Sequence, residues 1–234
     1  MMYDDIEHGV YYMAEHKIAA IYTGAALVKP LSDLLKETLP GCKVMNILDD
    51  SMIAEIIETG YLTKAVKRRL YGYYEIACAS GAELILNTCS SIGDAVYGAR
   101  EFFPIPIVRI DEPMARRAIE LTDSIAVLAT LSTTLDPTIR LLERCASEMG
   151  KSIRTISALA DGAFSAITSG DAQTHDRLIA ETAKQVSDSC EVILLAQGSM
   201  ARMEEPLARL TGKTVLSSPR LGALMVRDML GEAK

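Results

Sequence analysis

Residues 83–91 read ELILNTCSS and residues 191–199 read EVILLAQGS: an acidic residue, a short apolar run, then an abrupt switch to small polar residues. The two stretches align at a constant spacing of 108 residues (191 − 83 and 199 − 91), so Gln197 falls opposite Cys89. An apolar run of this length, bounded by turn-forming residues, predicts a strand buried on both faces. Its recurrence predicts two copies of one plan, with a thiol at the end of one strand and an amide at the end of the other.

Outward from ELIL, short apolar strands alternate with amphipathic helices. IAAIY (18–22), a helix PLSDLLKETL, KVMNIL (43–48) and a long helical stretch over 52–80 lead into it. PIVRI and a helix over 112–121 follow. The plan then repeats with SIAVLAT (124–130), a helix DPTIRLLERCASEM, SIRTIS, a helical stretch over 171–188 and EVILLA. Strands alternating with helices imply parallel sheets. KPLSDLLKE (29–37) parallels DPTIRLLER (136–144), each with a proline read as lying in the first turn of its helix. GCKV at 41 parallels GKSI at 150, and ILDD (47–50) parallels ALAD (158–161). The expected fold class is therefore α/β, in two pseudo-symmetric lobes with a cleft between them. Residues 1–110 make the first lobe and residues 111–216 the second. Segment 217–234 reads as a last helix, with Pro219 in its first turn and Leu221, Leu224, Met225 and Met229 on its apolar face.

The chain has 234 residues, 49% hydrophobic and 24% charged, which is the composition of a folded globular protein. A formal net charge of −7 argues against nucleic acid as a partner, since phosphate binding needs a Lys/Arg-rich face. The first seventeen residues carry Asp4, Asp5, Glu7 and Glu15 and no apolar core of a secretory signal. No apolar run reaches the length of a membrane span, so no membrane partner is expected. The five cysteines (42, 78, 89, 145 and 190) form no CxxC pair and no zinc-type spacing with the histidines, which implies no metal site and a reduced, cytoplasmic protein. Cys42, Cys78, Cys145 and Cys190 read as packing residues.

In open parallel α/β sheets ligands bind beyond the carboxyl ends of the strands. That singles out the loops holding Thr23, Asp49 and Asp50, Asn87-Thr88-Cys89-Ser90-Ser91, Thr130 to Thr134, Asp161, and Gln197-Gly198-Ser199. Their hydroxyls and N–H groups suit a small carboxylate. A thiol at the first turn of a helix is expected to have a lowered pKa and to serve as a base or nucleophile. The same place also suits a small structural residue, and physics alone leaves the two open. Asp49, Asp50 and Asp161 read chiefly as helix caps, Asp94 as a residue serving its own helix N-terminus, and Arg109 and Arg202 as members of surface or interlobe ion pairs. His8, His16 and His175 read as surface residues. With three Phe, nine Tyr and no Trp, a large aromatic cage is not expected, although Tyr22, Tyr97 or Phe164 could line one wall.

With LNTCSS, IDEPM (110–114) and EVILLAQGSM on the page in this order, nearly the whole chain resembles the aspartate/glutamate/hydantoin racemase superfamily. The resemblance implies a cofactor-independent enzyme, with the C-terminal helix returned to the first lobe and a tendency to form homo-oligomers. It implies that Cys89 is the first-half catalytic cysteine and Thr23 belongs to the hydroxyl-rich loop after the first strand. It further implies that Thr130, Ser132, Thr133 and Thr134 form a carboxylate-binding loop, and that Ser90, Ser91, Gly198 and Ser199 follow the two catalytic positions. The departure is Gln197, where the second cysteine is expected: an amide neither removes nor supplies a proton, but it can polarise a developing oxyanion. The resemblance thus implies racemase-like isomerase chemistry on a small carboxylate through one cysteine acid/base. Decarboxylation of a substituted malonate, cis–trans isomerisation of an unsaturated diacid and non-catalytic binding of a small acid are the alternatives.

Overall fold

The structure, a computed structural model, describes residues 16–232. His8, the acidic stretch before residue 16 and the last two residues of the expected C-terminal helix lie outside them. The first sheet contains β1 (Lys17–Tyr22), β2 (Lys43–Leu48), β3 (Leu84–Asn87) and β4 (Ile107–Arg109), all parallel, in the order β2-β1-β3-β4. The second contains β5 (Ser124–Ala129), β6 (Arg154–Leu159), β7 (Val192–Leu195) and β8 (Thr214–Ser217), in the order β6-β5-β7-β8. Register repeats with order: Ala19 lies beside Ile85 in the first sheet and Ala126 beside Ile193 in the second. The expected α/β class with two matching parallel sheets is what the chain forms.

Side chains of successive strand residues point to opposite faces, so each sheet feeds two cores. In the first, Ala19, Ile21 and Ile85 pack under α2 (Ser51–Thr59), α3 (Lys64–Ala79) and α4 (Asp94–Phe102). Ile18, Ala20, Tyr22, Leu84 and Leu86 face α1 (Val28–Thr38). In the second, Ile125, Val127, Val192 and Leu194 meet α5 (Glu112–Leu121) and α6 (Ser132–Glu148). Ala126, Leu128, Ile193 and Leu195 meet α7 (Ala163–Thr168), α8 (Ala172–Ser187) and α9 (Glu204–Thr211).

The halves exchange helices. α5 leaves the first sheet yet packs Met114, Ala115, Ala118 and Ile119 on the second. α10 (Ser218–Glu232) leaves the second and packs Ala223, Val226 and Leu230 on the first. Gly222 permits this close return, because a Cβ there would sit 2.6 Å from Ile110 Cγ1 and 2.9 Å from the Ile110 carbonyl oxygen.

Three local expectations change. The helical stretch over 52–80 is two helices: Gly60, at φ 79°, stops α2 in the left-handed region, and Thr63 starts α3 by accepting the Val66 N–H at 3.1 Å. Pro137 lies inside α6, not in its first turn, because α6 already begins at Ser132. β8 and α9 were not foreseen; each is short, and the apolar run of β8 is only Val215-Leu216.

Candidate active site

The carboxyl ends of the two sheets face one another across a cleft of about 370 Å³. Three loops from each half line it. From the first come Thr23 to Leu27 after β1, Asp50 and Ile53 after β2, and Thr88 to Ser91 after β3. From the second come Leu131 and Thr134 after β5, Phe164, Ile167 and Thr168 after β6, and Ala196 to Ser199 after β7.

Cys89 is placed by its neighbours. Thr88 prolongs the β1–β3 pairing, its N–H and hydroxyl both donating to the Ile21 carbonyl at 3.1 and 2.8 Å. Asn87 accepts the buried Tyr74 hydroxyl at 3.1 Å and donates to the Cys89 carbonyl at 3.1 Å. Cys89 itself is extended (φ −120°, ψ 121°) and precedes a 3-10 turn, Ser90–Ile92. Gln197 has nearly the same backbone (φ −126°, ψ 134°) before the turn Gly198–Met203. The equivalence inferred from spacing therefore holds in three dimensions, down to the dihedral angles. Equivalent threonines also attend the two positions. Thr23, after β1, lies beside the Cys89 thiol in the cleft and pulls its pKa down. Thr130, after β5, gives its N–H to Gln197 Oε1 at 2.7 Å and accepts Gln197 Nε2 at 2.8 Å.

The thiol is not acidified as expected. Burial pushes the Cys89 pKa above the ordinary thiol value, against the opposing pull of the Thr23 hydroxyl, the Ser91 and Ile92 N–H groups and the Ser91 hydroxyl. A single 3-10 turn separates the thiol from α4, which begins at Asp94. The half-buried thiol opens on the cleft.

Hydroxyls tie the two halves together behind the cleft. Ser90 Oγ donates to the Ala196 carbonyl at 3.1 Å, and Ser91 Oγ lies 3.0 Å from Thr134 Oγ1. Asp94, in the first turn of α4 as expected, also holds Arg140 across the same boundary at 2.6 and 3.0 Å. Under the Cys89 loop lies a buried ion pair: Arg109 Nε and Nη2 donate to Asp111 at 3.0 and 2.9 Å. Although burial opposes it, Arg109 holds the Asp111 carboxyl below the usual carboxylate range.

Of the residues expected at the site, Thr23, Thr88, Cys89, Ser90, Ser91, Thr134, Gln197, Gly198 and Ser199 line the cleft. Asn87, Thr130, Ser132 and Thr133 do not. Asn87 and Thr130 brace the loops, as described. Ser132 is exposed and Thr133 half-buried, because 132–134 is the first turn of α6 and a helix presents only about one residue in three or four to one face. Asp49 caps: Ser51 and Tyr73 donate to its carboxylate. Asp161 accepts the Gly162 N–H at 3.0 Å. Arg109 is fully buried rather than at the surface, and Arg202 pairs with Asp176. His16 and His175 are buried, not exposed, against Glu83 and Asp176 respectively. Of the aromatic candidates only Phe164 reaches the cleft; Tyr22 is in the core and Tyr97 packs on Arg144. The apolar lining at Ala25, Ala26, Leu27, Ile53, Leu131 and Ile167 was missed. Leu131 and the run after Gly24 were visible as apolar residues directly beyond strand ends.

Among the described residues, no group of three or more His, Cys, Asp and Glu could hold a metal ion, and no helix is long and apolar enough to cross a membrane.

The paired sheets, the exchanged helices and a cleft with matched strand-end loops define a two-lobed α/β protein whose candidate site lies between the lobes. The chain belongs to the Asp/Glu/hydantoin racemase family, whose model matches residues 20–226, and that membership supports a racemase-like enzyme of the isomerase class. Similar solved structures include a glutamate racemase from Bacillus anthracis (TM-score 0.74, 14% identity, covering 95% of this chain and 84% of that one). An aspartate racemase from Picrophilus torridus is similar at a TM-score of 0.70 and 12% identity, covering 92% of this chain and 94% of the other. An allantoin racemase from Klebsiella pneumoniae matches at 0.66 and 16%, covering 94% and 89%. At these identities the likeness establishes the fold. No curated protein matches the chain by sequence.

Proposed function

We propose that the protein is a racemase-like enzyme that performs carbanion chemistry on a small carboxylate with Cys89 as its single acid/base. One observation carries this reading: a thiol and an amide stand at equivalent strand ends, on one cleft, each attended by the equivalent threonine. The substrate carboxylate sits at the Gly198-Ser199 turn, beside the Ser91–Thr134 hydroxyl pair. Cys89, as thiolate, takes the α-proton, and the electron pair passes onto the carboxylate as an enediolate. Gln197 has spent one Nε2 hydrogen on Thr130 and keeps the second for the enediolate oxygen, a dipole already oriented before charge develops. The Cys89 thiol then exchanges its proton with solvent and delivers the new one to the same face of the carbon.

Proton NMR in D₂O tests this on a panel of amino acids, hydantoins and substituted malonates, run beside Cys89→Ala. The expected result is exchange of an α-hydrogen for deuterium that is lost in the variant. Full exchange in Cys89→Ala would sink the assignment.

A second reading, decarboxylation of a substituted malonate, is favoured by the lone thiol. Loss of CO₂ creates the same enediolate, and protonation is then needed on one face only. In the same spectra it would appear as loss of a carboxyl with gain of one deuterium.

A further inference from the structure

The cleft is electrostatically one-sided. Among the described residues no Lys, Arg or His lines it, and its one acidic side chain is Asp50. A carboxylate entering such a place must be compensated by N–H and O–H donors, since no cation is at hand. The polar side chains nearest Cys89 are gathered at the Ser91, Thr134 and Ser199 loops. Elsewhere the wall is apolar, with Leu27, Ile53, Leu131, Phe164 and Ile167.

Asp50 differs from its two nearest counterparts. Adjacent Asp49 has both carboxylate oxygens engaged by Ser51 and Tyr73. Asp161, the matching residue of the second half, accepts the Gly162 N–H, and Phe164 takes the wall there. Asp50 alone is exposed at the cleft with its carboxylate unengaged by the described residues.

We propose that the site selects an acid with a single carboxylate, an uncharged apolar substituent and an N–H or ammonium group, and that Asp50 receives that group and rejects a second carboxylate. This rests on the reading of the cleft as the substrate site. A second carboxylate would meet either Asp50, a like charge, or the apolar wall, where it would lose its hydration without a partner. The apolar wall gains affinity from a branched or aromatic substituent, within what about 370 Å³ admits.

Calorimetric binding to the Cys89→Ala protein separates selectivity from turnover. The probes are leucine and phenylalanine, their analogues lacking the amino group, aspartate, glutamate and a phenyl-substituted malonate. Leucine or phenylalanine is expected to bind at least about tenfold more tightly than every dicarboxylate. Adding Asp50→Asn should narrow that gap about tenfold and abolish the advantage of the amino acids over their amino-free analogues. Circular dichroism confirms that the exposed substitution leaves the fold intact. Equal or tighter binding of a dicarboxylate, no binding of either apolar amino acid, or an unchanged gap in Asp50→Asn overturns the proposal. Selective binding without any Cys89-dependent exchange in the unmodified protein would instead refute the carbanion chemistry and leave the selectivity standing.

Discussion

Gly93→Ala tests whether the buried ion pair beneath the Cys89 loop is as tightly enclosed as it looks. Gly93 has ordinary helical dihedrals (φ −59°, ψ −33°), so by backbone preference alone alanine should stabilise, by up to about 1 kcal/mol. Yet a Cβ at this position would lie 2.4 Å from Arg109 Cζ and Nη2 and 2.8 Å from Nε. Those nitrogens are the donors to Asp111, and neither side chain has room to relocate into water, at 0% and 2% exposure. The guanidinium must shift, leaving a buried carboxylate without its partner, which costs about 3–5 kcal/mol. The net expectation is a destabilisation of about 2–4 kcal/mol, opposite in sign to the propensity effect. Urea unfolding at neutral pH, followed by circular dichroism, measures it. A pH series adds a second check. The folded-state pKa of Asp111 is depressed, so its contribution is present above the unfolded carboxylate value and is lost as pH falls through the folded one. Gly93→Ala forfeits that contribution, and the gap between the two proteins should therefore narrow in acid. A variant as stable as the parent, or a gap independent of pH, would refute the reasoning.

Other consequences concern the two loops at the cleft. Thr130→Val keeps the backbone bond to Gln197 Oε1 but deletes the partner of Nε2, so kcat for the Cys89-dependent exchange should fall about 5–10-fold with little change in KM. Stopped-time NMR at saturating substrate reads this, and an unchanged kcat would remove Gln197 orientation from the mechanism. Because the Cys89 pKa is raised, kcat/KM for exchange should climb with pH through neutrality and level off only beyond the ordinary thiol range. Thr23→Val removes an interaction that lowers that pKa, so the limb should move further alkaline; a plateau already reached below pH 7 would contradict both statements.

Patterns of short range carried much of the fold. A run such as LIL between an acid and small polar residues is a strand in almost any context, since its apolar side chains need cover on both faces. The two boundaries that slipped, at Gly60 and at the start of α6, depend on a left-handed glycine and on how far a helix extends toward its N-terminus, and these are decided by a few residues of local geometry. Burial of charged groups was harder to foresee. Nothing in IPIVRIDEP tells Arg109 from a surface arginine, because its burial depends on Asp111, Gly93 and Tyr97 converging on it in space. His16 and His175 were misplaced for the same reason: each is shielded by neighbours brought from other turns of the chain or from another element.

By itself the sequence determined the duplication, the alternation of strands and helices as far as β7, and the pairing of Cys89 with Gln197, because spacing along a chain survives folding when both copies fold alike. Tertiary structure alone decided which hydroxyls turn toward the cleft and which brace it. It also set the direction of the Cys89 pKa, where burial outweighs four hydrogen-bonding groups, and left Asp50 unengaged while its neighbour Asp49 is fully bound. These are properties of distance and solvent access among residues far apart in the chain, and no local pattern encodes them.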